Sequence, residues 1–272
     1  MREPLNLTRL LREQPSRETS PRIRMSGLGK CDRALAYIQH GTPEDGRVID
    51  ARAERVFRFG DAVEELLVDE LRRVLPEGWI LRDVLGEQMT VRLTLGGVEV
   101  VGHPDGLLIG PDCSAYLLEV KSASSYGFRR MEEHGLDPSE SYYHQHQAYL
   151  HAADVDGGVF VVMAKDSAAV THFWTQRDPN WLASAEARLA RITSSASPED
   201  VPRLLPDGAE LAPRVDLHKT RGTPNKRHGE LPWQCRYCSY YRTCWPGVEE
   251  RVVTDYRGTP SLGLYYRPEG EP

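Results

Sequence analysis

The chain has 272 residues, of which 40% are hydrophobic and 27% charged, and a net charge of −6. That balance suits an ordinary soluble globular protein that buries a sizeable core without disulfides, as one large domain or one domain with an accessory lobe. The longest apolar run, around Gly157 to Ala164, is far too short to span a bilayer, which excludes a membrane partner of the spanning kind. Behind Met1-Arg2-Glu3-Pro4 there is no apolar run of the secretory kind, so a cytoplasmic location is the expectation. Cytosolic thiols stay reduced, and the five cysteines are therefore read as ligands or bystanders before disulfides.

In chain order, residues 1–30 read as an irregular arm and Asp32 to His40 as a helix. Residues 41–50 are rich in turn formers. A long amphipathic helix is predicted from about Arg52 to Leu75, with Val56, Phe59, Val63, Leu66 and Val74 near helical spacing and Pro76 ending it. Strands are predicted at Trp79–Val84, Gln88–Leu95, Val98–Ile109 and Ala115–Lys121, with a hairpin turn at Gly96-Gly97. Residues 139–153 read as a helix, Gly157–Ala164 and Ala168–Thr175 as strands, and Pro179–Ile192 as a helix. Residues 196–232 are mostly loop, followed by a cysteine-rich end. There is no internal repeat. This order predicts an α/β protein with a central mixed sheet covered by helices. Three stretches are expected: an arm over 1–50, a core over 51–195 and a cysteine segment over 196–272.

The net negative charge argues at first against a nucleic-acid partner, but the charge is unevenly spread. Residues 1–33 carry eight Lys/Arg against four acids, and residues 214–242 carry seven against two. Local basic patches bind phosphate even on an acidic chain.

The most informative stretch is Gly102-His103-Pro104-Asp105-Gly106 followed by Leu118-Glu119-Val120-Lys121. Glu119 and Lys121 are two apart on a strand and share one face, while Leu118 and Val120 share the other. An acid and a lysine ending an apolar strand are costly to bury, and a divalent cation rationalises them. Pro104 interrupts the preceding strand, and hairpin pairing brings Asp105 toward Glu119. Two carboxylates and water suit Mg²⁺ or Mn²⁺, which can activate water against a phosphodiester. Lys121 would then orient or deprotonate the attacking water, or stabilise the pentavalent phosphate. The bland alternative is a hairpin with a surface Glu–Lys pair. In the long helix Glu64 shares a face with Phe57, Gly60, Leu67 and Leu71, whereas Glu65 falls among charges. An inward glutamate asks for a partner, and Glu64 is a third candidate metal ligand. Gln145 and Tyr149 share a face of the later helix. His144 and His151 are read as surface histidines.

The ordered set Gly60-x-x-x-Glu64, Gly102-His-Pro-Asp105, Glu119-Val-Lys121 and Gln145-x-x-x-Tyr149 resembles the RecB-like nucleases of the PD-(D/E)xK superfamily. The resemblance implies a restriction-endonuclease-like fold, metal ligation by Asp105 and Glu119, a catalytic Lys121, and DNA contact by Gln145 and Tyr149. Many relatives carry His where this chain has Glu64. The matching motifs span about residues 57–150.

Cys235-x2-Cys238-x5-Cys244 is a tight triplet of the kind that grips one metal or one cluster edge. The candidates for a fourth ligand are Cys31, Cys113, His218 and His228. Cys113 sits in a hairpin turn and is set aside. Zinc and iron–sulfur both accept four thiolates. An early cysteine followed by Arg33 and Tyr37, then a C-terminal triplet, resembles the CRISPR-associated and phage iron–sulfur exonucleases and the AddB-type helicase–nucleases. That resemblance implies a [4Fe–4S] cluster on Cys31, Cys235, Cys238 and Cys244, with Zn²⁺ as the alternative, in a lobe joining the two ends of the chain. Of the aromatics around it, Trp233, Tyr237, Tyr240, Tyr241 and Trp245, some should pack and others could stack on bases. The reading is a DNA exonuclease acting on single-stranded ends. Its rivals are a CRISPR spacer-processing nuclease with an integrase or recombination partner, a non-catalytic DNA-binding scaffold, and a zinc-binding interaction protein.

Overall fold

The computed structural model describes residues 22–45, 51–82, 89–138, 140–204, 229–254 and 260–266. The helices are α1 (Asp32–Gln39), α2 (Ala51–Val74), α3 (Ser125–His134), α4 (Ser141–Ala153), α5 (Trp181–Thr193) and α6 (Tyr241–Cys244). The strands are β1 (Ile80–Arg82), β2 (Val91–Leu95), β3 (Val98–Gly102), β4 (Gly106–Ile109), β5 (Ala115–Ala123), β6 (Gly157–Ala164), β7 (Val170–Gln176), β8 (Gly229–Glu230), β9 (Glu249–Thr254) and β10 (Pro260–Tyr266). Two compact units result, Met1–Gly29 with Val48–Thr193, and Lys30–Arg47 with Ser194–Pro272. Among the described residues, no helix is long and apolar enough to cross a membrane.

The first unit is a mixed α/β layer structure. Its sheet has the order β1-β4-β5-β6-β7, with β5 and β6 parallel and the other neighbours antiparallel. A parallel pair needs a crossover, and α3 and α4 supply it. The uninterrupted apolar run of β6 is buried along its whole length, as a strand covered on both faces must be. On one face, Val63, Leu67 and Val68 of α2 pack against Leu118, Val120, Val159 and Val161. On the other, Phe128 and Met131 of α3 pack against Ala123, Val162 and Ala164. Each large aliphatic or aromatic side chain buried this way contributes about 1.5–3 kcal/mol.

Several expectations change here. The strand predicted over Val98–Ile109 is two strands, because Pro104 has no N–H for a ladder and the chain breaks between Gly102 and Gly106. The first half, β3, forms its ladder with β2 across the Gly96-Gly97 turn, where both glycines have positive φ (57° and 79°), and its Val101 also bridges Arg24. The second half, β4, enters the main sheet. Helix α3 had no counterpart in the sequence reading. Its signal was the N-cap Ser124, which accepts a hydrogen bond from the Gly127 N–H. In α2 the buried positions are Val63, Leu67 and Val68, while Val56, Phe57, Phe59, Leu66 and Val74 are exposed. Among the described residues of this helix, the buried core contacts begin at Val63.

The second unit packs α1, a 3-10 turn at Trp233–Tyr237, and α6 against the small sheet β8-β10-β9. Its core holds Ala34, Tyr37, Leu231, Tyr240, Tyr241, Trp245 and Leu264. The Arg33 guanidinium is buried but satisfied: Nε donates to the Val201 carbonyl at 2.6 Å and Nη2 to that of Glu199 at 2.7 Å. Residues 205–228, which include the candidates His218 and His228, lie outside the described residues, as does the arm over 1–21.

Candidate active site and cysteine cluster

The site in the first unit grows from the end of β5. The alternation of the strand turns Glu119 and Lys121 to one face, and the Lys121 ammonium lies 2.5 Å from Glu119 Oε1. The Glu119 side chain is 1% exposed and that of Lys121 21%. Asp105 sits in the break between β3 and β4, one residue before the register pair Gly106–Leu118. Its Oδ2 accepts a hydrogen bond from the Val120 N–H at 2.7 Å. The proline break thus sets Asp105 beside Glu119 without a ladder bond of its own. Glu64 reaches the same place from α2 and hydrogen-bonds with Asp105. Glu65, one residue on, is exposed. Gly60, one turn earlier, faces Ser122.

Crowding three carboxylates and one ammonium into a buried space shifts all four. Burial, then repulsion from Asp105, raises Glu119 from 4.5 to about 8. Burial and the same neighbour raise Glu64 to about 7. Asp105 is raised by burial, against the opposing pull of Lys121, the Val120 N–H and Glu64. Burial alone would lower Lys121, but Glu119 and Asp105 outweigh it and the net shift is upward. The ammonium therefore stays charged.

Helix α4 closes the site from the Glu119 side. Gln145 Nε2 donates to Glu119 Oε1 at 3.0 Å and to the Tyr149 hydroxyl at 2.9 Å. Gln145 is 9% and Tyr149 3% exposed, so neither presents a free surface to a strand. Gly102 is required here, because a side chain at that position would collide with the Tyr149 ring and with Met25. Residues from Gln145 to Leu150 of this helix are buried without interruption. Lys121 also lies over the Tyr142 ring, 5.5 Å from its centroid.

His146, which the sequence reading passed over, is fully buried beside this cluster. Thr175 donates its hydroxyl proton to the Gly158 carbonyl at 3.1 Å, so at its 2.6 Å contact with His146 Nε2 it accepts. That assigns the Nε2–H tautomer and leaves Nδ1 bare, buried and without a hydrogen-bond partner. Burial, then Lys121, lowers its pKa to about 3. His144 and His151, expected at the surface, are half-buried instead. His144 accepts from the Trp181 indole N–H at 3.1 Å, and the His151 ring stacks on the same Trp181. Both are turned inward because α5 packs across them.

In the second unit, Cys31, Cys235, Cys238 and Cys244 gather against one apolar cluster. Cys31 precedes α1, Cys235 and Cys238 flank the end of the 3-10 turn, and Cys244 ends α6. None of the four is in a disulfide among the described residues. Burial, then the neighbouring sulfurs, raises Cys235 to about 12, and burial is the main cause that raises Cys238 and Cys244 to about 11. The Tyr240 N–H donates to Cys238 Sγ at 3.4 Å. Cys113 is exposed, in the β4–β5 turn of the other unit. The five aromatics sort cleanly: Tyr240, Tyr241 and Trp245 are core, while Trp233 and Tyr237 are exposed with their rings in edge contact. Among the described residues, no group of three or more His, Cys, Asp or Glu side chains is placed so that it could hold a metal ion as it stands.

The fold and site thus define a mixed α/β protein with a buried carboxylate–lysine cluster at a strand end and a separate four-thiol cluster. No family model matches the chain, and no curated protein matches it. Solved structures are similar in part. The crystal structure of SSO0001 shares 16% identity at a TM-score of 0.43, covering 82% of this chain and 86% of that one. An alkaline exonuclease from Laribacter hongkongensis shares 17% at 0.43, covering 63% and 86%. A phage related exonuclease from Haemophilus somnus 129PT shares 15% at 0.37, covering 63% and 92%. With TM-scores below 0.5, chemistry does not transfer by likeness and rests on the residues of this chain.

Proposed function

We propose that this chain is a metal-dependent DNA exonuclease that hydrolyses phosphodiester bonds from single-stranded ends. The observation that carries the reading is Glu119: fully buried, paired with Lys121 and Gln145 through Oε1, and left with Oε2 buried and without a hydrogen-bond partner. A buried acid costs free energy unless each oxygen is satisfied, and an orphaned oxygen on an acid that interacts with two further carboxylates fits a cation. Glu64, Asp105 and Glu119 form an all-oxygen donor set of the kind that suits Mg²⁺ or Mn²⁺. When bound, such an ion activates water and neutralises charge on the phosphate.

The chain's own groups divide the remaining tasks. Water oxygen attacks phosphorus, one P–O ester bond breaks, and the products are a phosphate monoester and a hydroxyl. Lys121, held charged by Glu119 and Asp105, donates to a phosphate oxygen as charge builds there. It is not the group that deprotonates water. Gln145 acts through Glu119, and Tyr149 through Gln145, as positioning residues behind the site.

Cys31, Cys235, Cys238 and Cys244 would hold a [4Fe–4S] cluster, with Zn²⁺ as the alternative. Four reduced thiols in one apolar cluster are the right donor set, and the cluster's role is structural. The test of the function is digestion of end-labelled DNA with Mg²⁺ and with Mn²⁺ by the anaerobically purified protein. Asp105→Ala, Glu119→Ala and Lys121→Ala should each abolish cleavage in a folded protein. Full activity in any one of them removes that residue from the mechanism.

A further inference from the structure

An open depression of about 700 Å³ lies in the first unit on the α2 side of the sheet, where Tyr116 and Trp174 share a face with Val159. Three aromatic rings line it in a row. Trp79 and Tyr116 stack at 6.2 Å and 28°, and Trp174 meets Tyr116 edge-on at 5.1 Å and 75°. Trp174 is 53% exposed. A Cβ at Gly157 would stand 2.9 Å from the Thr175 carbonyl and 3.5 Å from the Tyr116 ring, so only glycine leaves the floor open. The only guanidinium among the described lining residues, Arg177, is already paired: Nη1 with Asp154 at 2.8 Å and Nη2 with Asp156 of the lining at 2.7 Å, both acids being exposed. Asp156 lines the depression and Asp154 lies outside the lining on the same guanidinium, so this ion-paired group of two carboxylates and one guanidinium carries −1.

We propose that this depression is a cation-binding aromatic pocket that takes a lysine or arginine side chain from a basic segment of a partner protein. The electron-rich faces of tryptophan and tyrosine attract a cation, most strongly where water is partly excluded. The residual negative charge of the ion-paired group adds to that attraction. A nucleic-acid strand is disfavoured at the same place. Bases could stack on Trp174, but the phosphates would meet a group of net negative charge whose guanidinium is already paired. The proposal is independent of the nuclease reading, since no residue of the depression belongs to the carboxylate–lysine cluster.

The test is a titration followed by NMR of the indole N–H signals, of which the chain has five. The probes are the capped peptide Ser-Arg-Lys-Arg-Ser, its uncharged counterpart Ser-Gln-Gln-Gln-Ser, and a thymidine oligonucleotide of equal length. Trp79 and Trp174 should move with the basic peptide alone, with signals assigned by Trp79→Phe and Trp174→Phe. Trp174→Ala should weaken binding on the order of fivefold, the value of one exposed cation–aromatic contact. The double variant Asp154→Asn, Asp156→Asn should weaken it about tenfold or more, because freeing Arg177 turns this group from −1 to +1. Unchanged signals from Trp181, Trp233 and Trp245 verify folding in each variant. Equal shifts with the uncharged peptide, shifts with the oligonucleotide instead, or no movement up to about 10 mM basic peptide overturn the proposal.

Discussion

Replacing Gln145 by leucine separates two roles that its position in the sequence leaves open. The side chain donates to Glu119 Oε1 at 3.0 Å and to Tyr149 at 2.9 Å and is buried, so its first effect must be on the carboxylate and not on DNA. Leucine keeps the volume and removes both donors. Losing a hydrogen bond to a buried charged group costs about 1.5–3 kcal/mol. At about 1.4 kcal/mol per tenfold, that is roughly 10- to 100-fold in affinity, the range found when a partner of a metal ligand is removed. The assay is the cleavage rate of end-labelled single-stranded DNA against Mn²⁺ concentration, with KM for DNA measured separately at saturating Mn²⁺. Half-saturation by Mn²⁺ should rise by roughly 10- to 100-fold, while KM for DNA should move less than about threefold. A raised KM with an unchanged Mn²⁺ requirement would refute the positioning role and restore direct DNA contact.

Glu64→Ala should also raise the Mn²⁺ needed for cleavage, and Glu65→Ala should behave like the parent, since only Glu64 meets Asp105 and Glu65 is exposed. A larger shift in the Glu65 variant would remove α2 from the site. Substituting any one of Cys31, Cys235, Cys238 or Cys244 by Ala should abolish absorbance near about 400 nm and lower the Tm, whereas Cys113→Ala should do neither. Stoichiometric zinc without iron after anaerobic purification would replace the cluster by a zinc site. His146 should make the metal-free protein acid-sensitive. Its folded pKa, about 3, lies below the ordinary 6.5, so as pH falls the unfolded chain binds its proton first. The stability it permits is complete above about pH 6.5 and is lost toward pH 3, at up to about 1.4 kcal/mol per pH unit. Urea midpoints between pH 7.5 and 4.5 should fall more steeply for the parent than for His146→Leu, a difference that cancels the carboxylates common to both. Parallel curves would show that His146 titrates normally.

Local periodicity sufficed for what lies along a single element. The two-residue repeat of β5 put Glu119 and Lys121 on one face, the 100° step of a helix separated Glu64 from Glu65, and paired glycines marked the β2–β3 turn. The spacing of Cys235, Cys238 and Cys244 likewise marked one cluster before any packing was considered. Periodicity fixes orientation about an element's own axis but says nothing of what stands opposite. Asp105 reaches the Val120 N–H only because the chain breaks at Pro104 and β4 pairs with β5 in one register. Gln145 finds Glu119, 26 residues away, only because α4 lies in the crossover between two parallel strands. The same position buries α4 from Gln145 to Leu150 without interruption, which erased the amphipathic signal and hid His146. Likewise the composition around the cysteines could not tell Trp245 from Trp233, since both suit a core, and only the fit of Trp245 against Tyr266 decided which ring left the water.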